Sequence, residues 1–244
     1  MSPGARVSRS LYVEPEKPAE QIDWPALHFA DVFKIFRSGP VETVALRGLE
    51  LRVDRHELVA VFGPSGCGKS TMLALAAALD VASAGEVRAG AKSLGLLDDA
   101  DLAHYRAREV ALVLQSGNLW PALTARENVA VSLRLAGDGH PHEAADAALA
   151  AFGLAARASH RAGALSGGEQ QRVAIAAAAA RHARLVLADE PTGELDASNE
   201  QVVLDALSEL RDSFDGTVLV VTHSPRVAEA AGRVVEMRDG AVVA

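Results

Sequence analysis

Short, mainly apolar runs of four to six residues recur along the chain, and each is followed at once by small or polar residues. They include Leu58–Phe62, Leu185–Ala188 and Thr217–Thr222. A continuous run of this length is typical of a strand that is buried on both faces, as in a parallel sheet, whereas a half-buried strand alternates apolar and polar positions. The pattern therefore predicts a buried parallel sheet in an α/β fold.

Two other regions carry different patterns. From Ala26 to Val61, short β-like runs alternate with turn residues and predict an antiparallel sheet. These runs are Leu27–Phe29, Val44–Leu46 and Leu49–Val53. Between Gln115 and Leu165, segments such as Glu143–Ala150 favour helix by propensity. We therefore expect a helical subdomain at about residues 116–180.

Length and composition limit the classes of protein that this chain can represent. Its 244 residues fit one large domain, which we place at 26–244, after a flexible extension at 1–25 without periodic apolar positions. No run of about 18 uninterrupted apolar residues occurs, and the N-terminus lacks an apolar h-region, so we expect a cytoplasmic protein without a membrane span. A single cysteine excludes an intrachain disulfide, and the net charge of −8 disfavours nonspecific binding of nucleic acid.

A glycine-rich segment follows the first buried run. Its residues are Gly63, Pro64, Ser65, Gly66, Cys67, Gly68, Lys69, Ser70 and Thr71. The spacing from Gly63 to Ser70 matches a phosphate-binding loop, in which backbone N–H groups and a helix N-terminus hold phosphate oxygens. The lysine of such a loop reaches the β- and γ-phosphates, and its serine hydroxyl binds Mg²⁺. A chance match has a probability of roughly 1% in a chain this long, so the sequence predicts binding of ATP or GTP with Mg²⁺.

Polar residues also terminate the other apolar runs. Gln115 follows one run, Asp189 and Glu190 end a second, and His223 follows a third. Ligands of an open parallel sheet bind at the carboxyl ends of its strands. We therefore expect these four residues and Lys69 to lie at one edge of the sheet and to form a single site.

Several motifs in a fixed order carry a family resemblance. They are the LSGGEQQR segment at Leu165–Arg172, the LVLADE segment at Leu185–Glu190, the GELD segment at Gly193–Asp196, and His223. From about Phe29 to the C-terminus the chain resembles the ATP-binding cassette ATPases, the nucleotide-binding subunits of ABC transporters. The segments Gln115–Leu119 and Ala188–Gly193 are similar to the lipoprotein-release, MacB and FtsE group. The resemblance implies a P-loop NTPase (RecA-like) core with an antiparallel β subdomain and an inserted α-helical subdomain.

The resemblance also implies a role for each candidate residue. Glu190 would be free to polarise the attacking water, with His223, Gln115 and Lys69 completing the catalytic set. The metal ligands would be Ser70, Gln115 and Asp189. Besides the loop from Gly63 to Thr71, the nucleotide contacts would be Phe36, stacked on adenine, and the signature residues Ser166, Gly167, Gly168 and Glu169.

The signature lies at the start of a predicted helix, so one chain carries two anion sites. The resemblance accounts for both through a head-to-tail homodimer, in which the signature of one subunit closes over ATP held by the loop of the other. It also implies an integral-membrane permease subunit as partner, at the inner face of the cell membrane. Its coupling helix would contact Leu119, Trp120, Pro121 and Leu123. No nucleic-acid partner is expected.

Some alternatives stay open at the level of sequence. Phe36 and Trp120 could instead be packing residues. Cys67 is either a reactive thiol in the empty loop or an inert, packed one. The main functional alternative to a transport ATPase is an FtsE-like regulator of a membrane partner, and a soluble ABC ATPase is a further one. Relatives commonly have arginine where this chain has Ala177, and phenylalanine where it has Leu114. Neither difference removes a catalytic group, so we expect them to affect the stability of the fold or the fit to a partner more than ATP hydrolysis.

Overall fold

The computed structural model describes Trp24–Gly39 and Val41–Val243. Most of the extension predicted at residues 1–25 therefore lies outside the described residues. Two sheets and seven α-helices are the main elements of the described part, which also has three short 3-10 helices. In chain order the elements are β1 (Leu27–Ser38), β2 (Val41–Val53), β3 (Leu58–Phe62), α1 (Lys69–Ala76), β4 (Ala84–Ala89), β5 (Lys92–Ser93), α2 (Asp99–Arg108), β6 (Val110–Val113), α3 (Ala125–Ala136), α4 (Pro141–Ala151), α5 (Gly167–Ala180), β7 (Leu185–Asp189), α6 (Ala197–Phe214), β8 (Thr217–Thr222), α7 (Pro225–Ala230), β9 (Arg233–Arg238) and β10 (Ala241–Val243).

The central sheet has the strand order β10-β9-β3-β8-β7-β6. All neighbouring strands in it are parallel except β10 and β9. Strands β3, β7 and β8 are buried along almost their whole length. The parallel sheet predicted from the apolar runs is therefore confirmed.

Successive residues of these strands point into two different cores. Val59 and Val61 of β3 belong to a cluster that includes α1 and the antiparallel sheet. Val218 and Val220 of β8 belong to a second cluster that includes α3, α4, α5 and α6. Because side chains alternate between the faces of a strand, both faces must be apolar when both are covered. This arrangement explains the uninterrupted apolar runs in the sequence.

The second sheet is antiparallel and has the order β2-β1-β4-β5. Its existence confirms the prediction, but the expected short strands were wrong. The runs belong to two long strands of 12 and 13 residues, β1 and β2. Irregularities in their pairing, including one between Phe29 and Val32, let the strands continue past residues such as Asp31, which has a positive φ of 48°.

Helices α3, α4 and α5 pack against one another and contribute to one apolar core. They fall within the range predicted for the helical subdomain, whose boundaries stay a prediction. None of the described helices combines the length and the apolar character that crossing a bilayer requires.

Gly85 allows β4 to approach the irregular part of β1. Its φ is +82°, and a Cβ atom at this position would lie 2.1 Å from the carbonyl oxygen of Asp31. Gly90, at the end of the same strand, also has a positive φ, of +55°, but a Cβ there would meet nothing within 4 Å. Alanine substitutions at the two positions therefore distinguish the free-energy cost of the backbone conformation, which both share, from the cost of a close backbone contact, which only Gly85 has.

We expect Gly85→Ala to lower the free energy of unfolding by about 3 kcal/mol, because both the left-handed backbone and the contact with Asp31 are unfavourable. Gly90→Ala should cost only about 1 kcal/mol, from backbone conformation alone. Equilibrium urea unfolding of both variants measures the difference. Equal losses of stability would contradict the close packing of β4 on β1.

Candidate nucleotide-binding and catalytic site

The glycine-rich loop lies between β3 and α1 and is held by neighbouring backbone. A Cβ on Gly63 would lie 2.2 Å from the carbonyl oxygen of Met237, and one on Gly68 would lie 2.6 Å from that of Ala45. The backbone N–H of Gly240 donates to the carbonyl of Cys67 at 3.0 Å. Strands β2 and β9 and the turn after β9 therefore hold the loop in place.

The tip of the loop faces outward, whereas its lysine is buried. Pro64, Ser65 and Gly66 are exposed, as is Ser70 in the first turn of α1, and Thr71 is half-buried. The Lys69 ammonium donates to the carbonyl oxygens of Gly63 at 2.7 Å and Pro64 at 3.0 Å. These hydrogen bonds fix the cation at the N-terminus of α1, where the helix dipole also favours an anion.

Four parallel strands bring the other candidates to the same edge. In the pairing register, Phe62 aligns with Thr222, and Asp189 aligns with Val221. The N–H of Gly63 donates to the carbonyl of Thr222 at 3.4 Å, and that of Glu190 donates to the carbonyl of Val221 at 3.0 Å. The residues that follow β3, β7 and β8 are therefore neighbours. Gln115 comes two residues after β6, the strand beside β7.

Glu190 and His223 are in direct contact at this edge. The Nδ1 atom of His223 lies 2.7 Å from Oε1 of Glu190. Oε2 of Glu190 accepts hydrogen bonds from the hydroxyl of Thr222 at 3.0 Å and from the N–H of His223 at 3.3 Å. Glu190 also has a positive φ of 45°, a conformation that is uncommon for residues other than glycine, asparagine and aspartate. Backbone and side chain together hold its carboxylate against β8.

Glu190 was expected to be free to polarise an attacking water, and that expectation stays a prediction. Its carboxylate already has three hydrogen-bond partners, but an ionised carboxylate offers about four acceptor positions, so one remains for a water molecule. Because the carboxylate only accepts, Nδ1 of His223 must carry the proton of that contact. The His223 side chain is 64% exposed, so its other ring nitrogen, Nε2, is the one that would meet a ligand.

The oxygen groups proposed for the metal suit Mg²⁺. Ser70 supplies a hydroxyl in the first turn of α1, and Asp189 supplies a half-buried carboxylate at the end of β7. Within the described ranges no three His, Cys, Asp or Glu side chains form a metal cluster. A hydroxyl and a carboxylate are ligands of the type that Mg²⁺ takes, since it binds through one or two protein oxygens together with phosphate oxygens and water.

Gln115 contacts the segment between β7 and α6 rather than standing alone. Its amide donates to the carboxylate of Glu194 at 3.3 Å. Its backbone carbonyl accepts from the side chain of Gln171 at 2.6 Å, and the same side chain donates to the carbonyl of Leu114 at 2.9 Å. Gln171 is buried in α5, so it joins the Gln115 segment to the signature helix. Gln171 was part of the quoted signature but was given no role from sequence.

Helix α5 begins at the signature with a capping box. The Ser166 hydroxyl accepts from the N–H of Glu169, and the Glu169 carboxylate accepts from the N–H of Ser166 at 2.9 Å. The Glu169 carboxylate also pairs with Arg157 at 2.8 Å. Hydrogen bonds from Arg157 and from the Ser166 backbone lower the pKa of Glu169. Within one chain this carboxylate therefore stabilises the start of the helix, and the nucleotide contact expected of Glu169 stays a prediction.

The two signature glycines pack against the residues that precede and begin α6. A Cβ on Gly168 would lie 2.9 Å from the Asn199 side chain, and one on Gly167 would lie 3.1 Å from Leu195. Gly167 is exposed and Gly168 is buried. The N-terminus of α5 thus packs on the N-terminal turn of α6, a contact between residues 28 to 31 positions apart that sequence reasoning did not find.

Phe36 is exposed, with 45% of its surface accessible, so the alternative that it is a core residue is wrong. The Lys34 ammonium lies 4.9 Å from the centre of its ring. Residues two apart in a strand share a face, which is the signal that would have identified Lys34. Trp120 is exposed as well, at 55%, while Leu119 packs on the helical core. Cys67 is buried, which favours the packed thiol.

Comparisons with known proteins agree with this geometry. The family model described as ABC transporter matches residues 46–193. The chain is 43% identical over 229 residues to the lipoprotein-releasing system ATP-binding protein LolD of Anaeromyxobacter dehalogenans, covering 93% of this chain and 96% of the relative. It is 40% identical to the macrolide export ATP-binding/permease protein MacB of Marinobacter nauticus, covering 90% of this chain but 34% of that protein. The chain thus spans about a third of MacB.

Solved structures of similar fold include the ATP-binding cassette MJ0796. Its dimeric structure in a post-hydrolysis state, bound to ADP and Pi, has a TM-score of 0.81 and 36% identity, covering 89% of this chain and 97% of that one. A second dimeric structure of the same cassette has the same TM-score and 37% identity. The expected fold class is confirmed.

The lowered pKa of Glu169 predicts a pH-dependent stability. A carboxyl whose folded-state pKa is lowered stabilises the fold above its ordinary value of 4.5 and loses that contribution as the pH falls through the lowered value. Glu169→Gln keeps a capping side chain but removes the charge, so at pH 7 it should cost about 0.5–1 kcal/mol. Below pH 4.5 the difference in free energy of unfolding between Glu169→Gln and the unmodified chain should shrink, as measured by urea unfolding across the pH range. The control is Glu143→Gln, which replaces an exposed acid of α4. A difference for Glu169→Gln that does not depend on pH would refute the assignment.

Proposed function

The chain belongs to the ABC transporter family as an ATP-binding and ATP-hydrolysing subunit, and we propose that its hydrolytic site consists of the residues that meet at the carboxyl edge of β3, β6, β7 and β8. The observation that carries this proposal is the contact of Glu190 with His223 beside the phosphate loop, at 2.7 Å. A carboxylate, an imidazole and a lysine next to a phosphate-binding loop are the groups that phosphoryl transfer to water needs.

The phosphate loop binds the nucleotide. Backbone N–H groups of the loop and the N-terminus of α1 hold the β- and γ-phosphates, and Lys69 moves from the loop carbonyls to the phosphates when ATP binds. Ser70, Asp189 and the amide oxygen of Gln115 would hold Mg²⁺, which neutralises phosphate charge when bound. Phe36 offers its exposed ring for stacking on adenine.

Glu190 and His223 orient the attacking water. Glu190 accepts a hydrogen bond from the water through its remaining acceptor position. It receives the water's proton as the water oxygen bonds to the γ-phosphorus and the bond from that phosphorus to the β-phosphate oxygen breaks, so that ADP leaves. While Nδ1 of His223 stays with Glu190, Nε2 can donate to a phosphate oxygen only if the ring carries a second proton.

A second copy of the chain completes the site. The N-terminus of α5 offers the Ser166 side chain and the N–H groups of Gly167 and Gly168 to an anion, as a second phosphate-binding position besides the loop. In the head-to-tail dimer, this end closes over the γ-phosphate on the partner copy. The dimeric MJ0796 structures support this arrangement.

The chain powers a separate permease. The name of MacB includes both an ATP-binding and a permease function, and this chain covers only 34% of that protein. The name of LolD gives only ATP binding within a lipoprotein-releasing system, and this chain covers 96% of it. We propose that the chain acts at the cytoplasmic face of a membrane with a permease subunit, for export or extraction of a substrate, and that the exposed Trp120 and Pro121 lie in the contact.

Glu190→Gln should lower ATP turnover at least about 100-fold, because the amide cannot take the proton from water. Since ATP then stays bound, an ATP-dependent dimer should accumulate. Phosphate release and light scattering after size exclusion, in the same samples with Mg-ATP, measure both effects. Glu229→Gln, an exposed acid of α7, is the matched control. A Glu190→Gln protein that binds ATP but stays monomeric at every concentration would count against the dimeric site.

Trp120→Asp should weaken the association with the permease at least about 10-fold, because a charge replaces an aromatic side chain in the contact. The matched control is Leu135→Asp, which places the same charge at another exposed apolar residue of the helical region. Affinity purification of tagged proteins from detergent-solubilised membranes measures the recovery of a multi-span membrane protein. Equal recovery with both variants would exclude Trp120 from the contact. The melting temperatures of the two purified variants, compared with that of the unmodified chain, check that both variants fold.

A further inference from the structure

Glu200 is a buried acidic residue outside the set described above. It lies in the first turn of α6, and 9% of its surface is accessible. A carboxylate removed from water is stable only when hydrogen bonds and an opposite charge replace its hydration. The N-terminus of α6 supplies part of that stabilisation through the helix dipole.

The partners of Glu200 come from the segment that carries His223. The hydroxyl of Ser224 donates to Oε1 of Glu200 at 3.0 Å, and the Arg226 guanidinium lies 3.1 Å from Oε2. The hydroxyl of Thr192, just after Glu190 and Pro191, makes a longer contact of 3.5 Å with Oε1. One buried carboxylate thus joins α6 to the segments after β7 and after β8.

A continuous series of hydrogen bonds leads from Glu200 through Ser224 and Thr222 to Glu190. The N–H of Ser224 donates to the hydroxyl of Thr222 at 2.9 Å, and that hydroxyl donates to Oε2 of Glu190 at 3.0 Å. His223 lies between these two residues and is exposed. The backbone of the exposed histidine is therefore held on both sides by residues that bond to a buried or half-buried carboxylate.

The same turn of α6 touches the signature. Asn199, the neighbour of Glu200, packs against Gly168 at the start of α5. The N-terminal turn of α6 therefore contacts two places in its own chain: the helix end that offers N–H groups to a nucleotide on the partner copy, and the segment that holds His223 beside the hydrolytic site.

We propose that Glu200 is a positioning residue, which holds the His223 segment on the N-terminal turn of α6 and so keeps His223 aligned with Glu190. This inference rests on the proposed hydrolytic site. Glu200 does not contact the nucleotide. It acts through Ser224, whose N–H donates a hydrogen bond to the Thr222 hydroxyl. That bond sets the position of the Thr222 hydroxyl, which in turn donates to Glu190.

The negative charge and the acceptor oxygens of Glu200 make different interactions. Its bond with Ser224 needs only an acceptor oxygen, which an amide also provides. The contact with Arg226 needs the negative charge, but Arg226 is exposed and its ion pair is screened by solvent. Alignment of His223 should therefore survive Glu200→Gln and be lost in Glu200→Ala.

Steady-state hydrolysis of Mg-ATP tests this inference. Glu200→Ala should lower kcat about 10-fold with KM within about twofold, because only the orientation of catalytic groups is lost. Glu200→Gln should restore most of kcat. Glu209→Ala, an exposed acid of the same helix, should have the kcat of the unmodified chain. A Glu200→Gln protein as slow as Glu200→Ala, or a Glu200→Ala protein as fast as Glu209→Ala, would overturn the proposal.

A double-mutant cycle with Ser224→Ala identifies the route. If Glu200 acts through Ser224, the combined variant should be no slower than the slower single variant, because both remove the same interaction. Multiplied losses would overturn the proposal. Ser224→Ala leaves Glu200 paired with Arg226, so it tests the inference even if Glu200→Ala folds poorly.

Hydrogen exchange of the nucleotide-free chain provides a readout that does not depend on turnover. The amides of Thr222, His223, Ser224 and Arg226 should exchange at least about 10-fold faster in Glu200→Ala than in Glu209→Ala, since the segment loses its attachment. Equal exchange would overturn the positioning role. An unmodified chain that fails to hydrolyse Mg-ATP, even as a dimer with its permease, would instead overturn the proposed function, so the two failures are distinguishable.

Discussion

The parallel pairing of β3, β8, β7 and β6 is the constraint on which the rest of the structure depends. Parallel strands bring their carboxyl ends to one edge, and backbone hydrogen bonds fix which residues follow each strand there. The register that aligns Phe62 with Thr222 and Asp189 with Val221 therefore places the phosphate loop, Glu190 and His223 next to one another. Both faces of these strands are covered by apolar cores, so a slip of the register would bury the wrong side chains.

The phosphate loop has a rigidly held base and a tip that faces solvent. Gly63 and Gly68 leave no room for a Cβ beside the backbone of Met237 and Ala45, so the base of the loop is fixed by two sheets at once. Its tip at Ser65 and Gly66 is exposed. Such a loop keeps its N–H groups oriented before a ligand arrives, and the binding energy is then not spent on ordering the chain.

Polar contacts within one chain connect the ends of the strands to the helices. Gln171 joins the segment after β6 to α5, and Glu200 joins the segment after β8 to α6. Both side chains are buried, where a hydrogen bond left unmade costs more than it does at the surface. Movement of the helices relative to the sheet therefore changes the surroundings of Gln115 and His223. This property suits a subunit that converts a change at bound nucleotide into a movement of its helices.

The sequence by itself determined the central strands, the phosphate loop, the start of α5 at Ser166 and the edge at which Glu190 and His223 lie, because apolar periodicity, glycine spacing and capping residues act over a few neighbouring positions. Sequence did not determine that β1 and β2 are long strands with irregular pairing, nor that Phe36 is exposed, because both depend on which strand lies alongside. Only the tertiary structure brought Asn199 to Gly168 and Glu200 to Ser224. Contacts of single side chains across 24 to 31 residues leave no periodic pattern in the chain, since they follow from the packing of whole helices and strands.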